Sequence, residues 1–445
     1  MSNEKKKISV SMGISKSDNA FEAAKEAATQ SLSKIEGKPT ISFVYFCGEY
    51  DVNQLSNGLK SVFPDTEFVG GSSDSLAYET EVLNKGVIVC SVQSEYLHIG
   101  IGSADGISKD PYKITKTAIN DALSKIKVDK YIDPYIQFLR VKKTNVKNLM
   151  KLPSYFVFVF SRGFKPNNMG NENIIIQSIS DEIGLSCTIF GGSFGVPLEN
   201  VFAGKPYEIY SLHSGKVMKD GIITMVFVSS LAYQHAIRNG AKPTKEVGYI
   251  SKIENNGFVV AGISGMDPID WYCQKLKITR EEFVSKQGAY TQMFPLGIPD
   301  EYGSFTIRTG GVPYDNNTKL AFTLPFVEGN PVFLMDAKRD NLLETPDLIK
   351  KDYEYLGKQN LKPALTFAIL CGSRRLCCRE KTPDELKKLK SNIKSPIFGF
   401  YSFTEVGSGA GRPTKIQHMS TSLFTLYENL LTELKWLIVS MNWLK

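Results

Sequence analysis

The stretches SYFVFVF at Ser154–Phe160 and TIFGGSFG at Thr188–Gly195 decide the fold of this chain. Each is a short apolar run rich in β-branched and aromatic side chains, which reads as a buried strand, and the second enters a Gly-Gly-Ser turn. Between them the spacing predicts one helix. Asn171 is placed to cap it, Ile174, Ile175, Ile179 and Ile183 share its inner face, and Gly184 stops it. Beyond them GIITMVFVS (Gly221–Ser229) and LAYQHAI (Leu231–Ile237) make an apolar pair that reads as a hairpin.

The same order occurs upstream. A helix over residues 17–36 presents Ala20, Ala23, Ala24, Ala27, Leu32 and Ile35 on one face, with Gly37 as its stop. TISFVYFC (Thr40–Cys47) is a strand, and Val52, Leu55, Leu59 and Val62 have helical spacing. EFVGGSSD (Glu67–Asp74) is a strand entering a glycine turn, and GVIVCSV (Gly86–Val92) with YLHIGIG (Tyr96–Gly102) reads as a hairpin. A fainter third copy lies near the end. ALTFAILC (Ala364–Cys371) is its strand, and Thr382-Pro383-Asp384-Glu385 reads as a capping box opening a helix with Leu386, Leu389 and Ile393 inward. PIFGFYSF (Pro396–Phe403) is the next strand, and HMSTSLFTLY (His418–Tyr427) closes the sheet. Residues 248–360 are less regular, with helices near Asp267–Leu276 and Pro346–Leu356. An internal repeat of strand, helix, strand and hairpin follows. The expected fold is α/β, with two domains of mixed β-sheets flanked by helices. The domains are placed at residues 8–247 and 248–430, with a C-terminal tail at 431–445.

With 445 residues, 42% apolar and 22% charged, the chain has ordinary globular composition and length for two large domains. A net charge of +7, spread along the chain, calls for no nucleic-acid partner. Its densest basic stretches, Arg140–Lys151 and Lys387–Lys394, read as solvated faces or linkers. There are seven cysteines, an odd number, and Cys47, Cys90, Cys187 and Cys371 lie in or beside apolar runs, which suits reduced, buried thiols. Cys371, Cys377 and Cys378 do not have zinc spacing. The N-terminal segment lacks the apolar core of a signal peptide, and no run reaches the ~18 apolar residues of a membrane span. Trp436–Trp443 is apolar but short, a final packing element. A soluble, cytoplasmic protein is expected.

Few motifs carry chemistry. Gly191-Gly192-Ser193-Phe194-Gly195 matches the G-x-S-x-G nucleophile elbow, but Pro197, Gly204 and Pro206 follow where that motif needs a helix. With His213, His235 and His418 downstream a serine hydrolase stays a competitor, although no enzyme is expected. Glycine turns at strand ends let backbone N–H groups approach a ligand, so Gly70, Gly71, Ser72 and Gly191, Gly192, Ser193 are site candidates, set against the plainer reading of tight turns. Gly407–Gly411 resembles a phosphate loop but opens no helix. Arg374 and Arg375, just past a strand, suit a carboxylate or phosphate, with surface charge as the alternative. Glu405, at a strand end before Gly407, suits an amine, or pairs with an arginine. His98 and His235 sit in apolar strands as core or edge residues, whereas His418 opens the last strand and is the best functional histidine.

Taken in order, several segments resemble the FIST domain. They are MGISKSDNAFEAAKEAA, FVYFCGEYDVNQLSNGLKSVFPDTEFVGGSS, IFGGSFGVPLENVFAGKPYEIYSLHSGKVMKDGIITMVFVS, TLPFVEGNPVFLM, AILCGSRRLC, PIFGFYSFTEVGSG and QHMSTSLFTLY, and the resemblance covers roughly residues 10 to 430. It implies a cytoplasmic sensor that binds a small ligand such as an amino acid and acts through a separate partner, such as a histidine kinase or chemotaxis-type receptor. A partner-docking adaptor without a small ligand is the alternative. A subset of the family resembles haem-dependent nitric oxide sensors, with a histidine after the hairpin of the N-terminal half. Here Asn239 stands at that place and His235 does not match it, so no haem or other cofactor and no metal is expected.

Overall fold

The computed structural model describes residues 6–126, 154–165, 168–184, 187–286, 288–354, 361–408 and 413–431. The basic stretch at 140–151 and the apolar run at 436–443 lie outside them. Three units share one order of elements. The first contains β1 (Ser9–Ser15), α1 (Ala20–Gln30), β2 (Ile41–Cys47), α2 (Val52–Val62), β3 (Phe68–Ser72), β4 (Ser75–Tyr78), β5 (Glu81–Leu83) and β6 (Gly86–Gln93). The second contains β7 (Leu97–Asp105), α3 (Pro111–Lys125), β8 (Ser154–Arg162), α4 (Glu172–Ile183), β9 (Thr188–Phe194), α5 (Leu198–Phe202), β10 (Ser211–His213), β11 (Lys216–Met218) and β12 (Gly221–Ser229).

The third unit opens with β13 (Leu231–Arg238) and then departs into an insert. That insert runs β14 (Lys242–Glu254), β15 (Val259–Ile263), α6 (Pro268–Leu276), α7 (Arg280–Ser285), α8 (Ala289–Met293), β16 (Leu296–Pro299), β17 (Phe305–Arg308), β18 (Val312–Tyr314), β19 (Lys319–Ala321) and β20 (Pro331–Asp336). The unit resumes with α9 (Arg339–Leu342), α10 (Thr345–Glu354), β21 (Pro363–Cys371), α11 (Gly372–Cys378), α12 (Thr382–Ile393), β22 (Ile397–Ser402), β23 (Glu405–Gly407), β24 (Lys415–Gln417) and β25 (Thr421–Leu430).

Four mixed sheets result. Their strand orders are β1-β6-β2-β3-β10-β11, β24-β23-β9-β8-β12-β7, β13-β25-β21-β22-β4-β5 and, for the insert, β17-β16-β20-β14-β15-β19-β18. In each of the first three the sequence-related strands pair in parallel at the same register: Val44 with Gly70, Val159 with Gly191, Ala368 with Gly399. Each short hairpin completes a neighbour's sheet. The first unit gives β4–β5 to the third, the second gives β10–β11 to the first, and the third gives β23–β24 to the second. Their outward residues sit under the neighbour's helices: Ala77 with Leu386, Leu212 with Leu59, Val406 with Ile175. Three backbone bonds close the circle, from Gly195 N–H to Ser72 O at 3.1 Å, Phe403 N–H to Ser193 O at 3.2 Å, and Asp74 N–H to Tyr401 O at 3.1 Å.

The inner faces of the three sheets meet in an aromatic core. Phe43, Phe158 and Phe367 occupy the same position in β2, β8 and β21, and their ring centroids lie 4.7, 5.3 and 6.3 Å apart. The residues two further on, Tyr45, Phe160 and Ile369, form the next layer of the same buried cluster. The outer faces are covered by alanine-rich α1 with α2, by α3 with α4, and by α10 with α12. The insert has its own core around Trp271, Tyr272, Phe283 and Phe322.

The mixed α/β class and the strand–helix–strand repeat stand. The hairpins do not. β6 and β7 belong to different sheets, as do β12 and β13, because each pair is the last strand of one unit and the first of the next. The expected division at 247/248 falls inside the continuous strand β14. The capping box at Thr382 is absent, since Glu385 turns inward to Arg374 and Thr421 and Thr382 Oγ1 bonds Arg379 O. Asn171 occupies the cap position of α4 without making the side-chain bond.

Candidate functional site

One end of the aromatic core is polar, and the insert lies across it. Between the two is a cavity of ≈ 820 Å³, within the range of small-molecule sites. Phe258, Val259, Ala321 and Phe322 of the insert form one wall, and Phe164, Leu198, Val201 and Phe403 of the second and third units form the other. The polar groups on the wall are uncharged and include Gln292, Thr309, Thr323, Ser373, Ser402 and His418.

His418 lies in the bend between β24 and β25 and not in the last strand as expected. Its Nδ1 accepts the Thr309 N–H at 3.2 Å and its Nε2 faces Thr323 Oγ1 at 3.2 Å. Burial and the nearby Arg308 guanidinium push the imidazole pKa down to about 3, so the ring is neutral. Arg308 itself bonds the carbonyls of Pro325 and Ile416.

The other sequence candidates are dispersed around this end and mostly engaged with the protein. Arg374 and Arg375 lie just past β21, on the helix α11. Arg374 is fully buried, pairs with Glu385 at 2.6 Å, and donates to Asn239 O, Met419 O and Leu342 O. Arg375 clamps Asp74 through two bonds of 2.7 and 2.8 Å and Glu199 through two more of 2.8 and 2.6 Å. It thus ties all three units together beside the cavity. Glu405 is buried in β23, where Ser402 Oγ donates at 2.6 Å and Ser420 donates from Oγ at 2.8 Å and from N at 3.1 Å. Burial pushes its carboxyl up to about 8. Ser402 links it to the cavity wall.

The Gly-Gly-Ser segments are strand, not ligand-facing loop. A Cβ on Gly70 would fall 1.6 Å from Val44 O, and one on Gly191 1.8 Å from Val159 O. Close approach of the parallel neighbour is what demands glycine there. Gly71 and Gly192 likewise face Tyr210 O and Thr404 O. Ser72 pairs with Tyr210 through both its backbone and its hydroxyl. Ser193 is buried and donates to Glu172 Oε1. Glu172 was not singled out from sequence because an acid at a helix start is ordinary. It is buried, its Oε2 has no hydrogen-bond partner among the described residues, and burial raises its pKa.

A FIST N domain model matches residues 40–266 and a FIST C domain model matches residues 268–408. The chain belongs to the FIST family. FIST domains are sensory modules of signal transduction rather than catalysts. No curated protein matches the chain. Among solved structures, cyanuric acid hydrolase from A. caulinodans aligns at 9% identity and TM-score 0.32, covering 94% of this chain and 99% of that one. T. maritima PurL complexed with ADP aligns at 10% and TM-score 0.20, covering 95% and 72%.

In this FIST protein Asn239 and His235, the two residues weighed for haem, are both bonded within the protein. The Asn239 side chain is held between Phe305 O and Ala241 N–H. His235 is held by Ser408 O at 2.7 Å on Nδ1 and faces Thr188 Oγ1 on Nε2. None of the three histidines weighed as a base for Ser193 bonds it among the described residues. His213 bonds Ser103, and His235 and His418 bond the groups named above. A short helix, α5, does follow β9, contrary to expectation. The phosphate-loop glycines 409 and 411 lie outside the described residues. Among the described residues no cluster of His, Cys, Asp and Glu is arranged for a metal, and no helix is long and apolar enough to cross a membrane.

Proposed function

We propose that this FIST protein is a small-ligand sensor whose ligand, a small metabolite, occupies the ≈ 820 Å³ cavity between the insert and the polar end of the core. The observation that carries this reading is where the cavity sits. Its walls come from the second unit, the third unit and the insert, so a ligand there bears on how these parts are held together. Glu199 of α5 is held by Arg375, while Leu198 and Val201 of the same helix line the cavity. Occupancy is then reported to a separate signalling protein, such as a histidine kinase or a chemotaxis-type receptor. The seven unpaired cysteines suit a reducing, cytoplasmic setting.

Arg374, Arg375 and Glu405 serve in this reading as the frame of the site, and His418 and Ser402 as part of its wall. Native mass spectrometry of the purified chain, incubated with a metabolite extract, tests it. The wild type retains a small molecule that Val201→Trp and Ala321→Trp, which fill the cavity from opposite walls, do not. Equal retention by well-folded filled variants counts against the cavity. A docking module is the second reading, favoured by Val247, Tyr249 and Val327, which are 48%, 51% and 65% exposed on the insert.

A further inference from the structure

If the cavity is the ligand site, its wall also defines what it takes. We propose that the ligand is an uncharged, largely apolar molecule of aromatic size carrying a hydrogen-bond acceptor, and that Thr323 reads that acceptor.

Among the described residues, no Asp, Glu, Lys or Arg side chain is part of the wall. The charged residues adjacent to wall positions are already engaged. Arg375, two positions from Ser373, holds Asp74 and Glu199, Arg308 beside Thr309 holds backbone carbonyls, and Glu172, which is not on the wall, takes the Ser193 hydroxyl on Oε1 while burial shifts its carboxyl toward the neutral form. A carboxylate or ammonium brought here would lose water and find no free counter-charge on the described wall. An amino acid zwitterion would incur that twice. The apolar wall, by contrast, rewards a flat hydrocarbon surface, with Phe164, Phe258, Phe322 and Phe403 around it.

The polar contact has a direction. The Thr309 N–H occupies His418 Nδ1, so the ring proton resides on Nε2 and is donated to Thr323 Oγ1. Thr323 therefore accepts from the histidine and has its own hydroxyl proton to give. Because the imidazole stays neutral in this buried position, the relay keeps that polarity through the physiological pH range. A ketone, amide, ether or ring nitrogen satisfies it, whereas a group that can only donate does not. His418 is then a positioning residue and Thr323 the contact.

The test is a thermal-shift titration of the full chain with acetophenone and 2-acetylnaphthalene against benzoate, 2-naphthoate and phenylalanine. The neutral ketones are expected to give saturable shifts that the anions and the zwitterion do not. Val201→Trp abolishes the shifts, Thr323→Val weakens ketone binding roughly fivefold, as loss of one neutral hydrogen bond should, and Thr323→Ser restores it. Binding of the anions or phenylalanine as tight as the ketones overturns the ligand class while leaving the cavity as a sensor site. No binding by either series also overturns the class. The cavity itself falls only if the metabolite-retention experiment fails as well.

Discussion

Glu405 and His418 carry opposite errands in proton linkage. Burial raises the Glu405 carboxyl from 4.5 to about 8, so between those values the folded chain holds a proton that the unfolded chain has released. Stability therefore falls as pH rises through that window. His418 is lowered from 6.5 to about 3, so the unfolded chain holds the extra proton between those values and stability rises with pH there. The two oppose each other below pH ~6.5, and only the glutamate term remains above it. Calorimetry should show the melting temperature falling from pH 6.5 to 8, with a shallower slope in Glu405→Gln. An unchanged slope would assign the titration to another acid, Glu172 first. The two arginines follow the same logic of burial. Arg374→Ala strands Glu385 with no water to receive it and should cost roughly 3–5 kcal/mol in urea unfolding. Arg375→Ala strands the fully buried Asp74 and should cost a similar amount, roughly 3–5 kcal/mol, because only its second partner, Glu199, is exposed enough to regain solvent.

At the scale of elements, the strands and helices were legible because their periodicities are strong, but the pairing of strands was not. GVIVCSVQ in β6 is buried along nearly its whole length, so no alternation reports which neighbour it faces. Adjacency along the chain then suggested a hairpin with β7, and the fold instead passes the chain from one sheet to the next. The site was partly legible. His418 stood out as a lone polar ring beside apolar sequence. Thr323 and Gln292 did not, because nothing marks one uncharged residue in an irregular insert. The glycines show how a motif misleads: Gly191 serves a strand contact, and Gly184 serves a helix end. Gly191→Ala should abolish folding, since its Cβ would lie 1.8 Å from Val159 O. Gly184→Ala, at φ +84 and ψ 160 with nothing among the described residues within 4 Å of the added Cβ, should cost only about 1–3 kcal/mol of backbone strain. Expression yield and urea midpoints separate the two, and similar effects would contradict the steric account.

Across the whole molecule, the exchanged hairpins make damage non-local. Replacing β4–β5 with a short linker removes sequence from the first unit but strips an edge from the third unit's sheet, where Ala77 packs with Leu386 and Leu389. Limited proteolysis of that variant should begin in the third unit, around residues 363–402. First cuts in the first unit would mean the hairpin belongs energetically to its own chain segment. Phe158→Ala, at the meeting of all three sheets, should cost roughly 3–5 kcal/mol and weaken them together.

The circular passing of hairpins also bears on ancestry. A gene for one such unit would encode a chain whose hairpin has no place on its own sheet. Three copies of that chain would each fill the vacancy left by the next and close a ring. The present protein has the connectivity of such a ring joined end to end, so triplication within one reading frame would require no new contacts. Copies fused in this way would be free to diverge, and among the described residues it is the third unit that carries the insert beneath which the cavity lies.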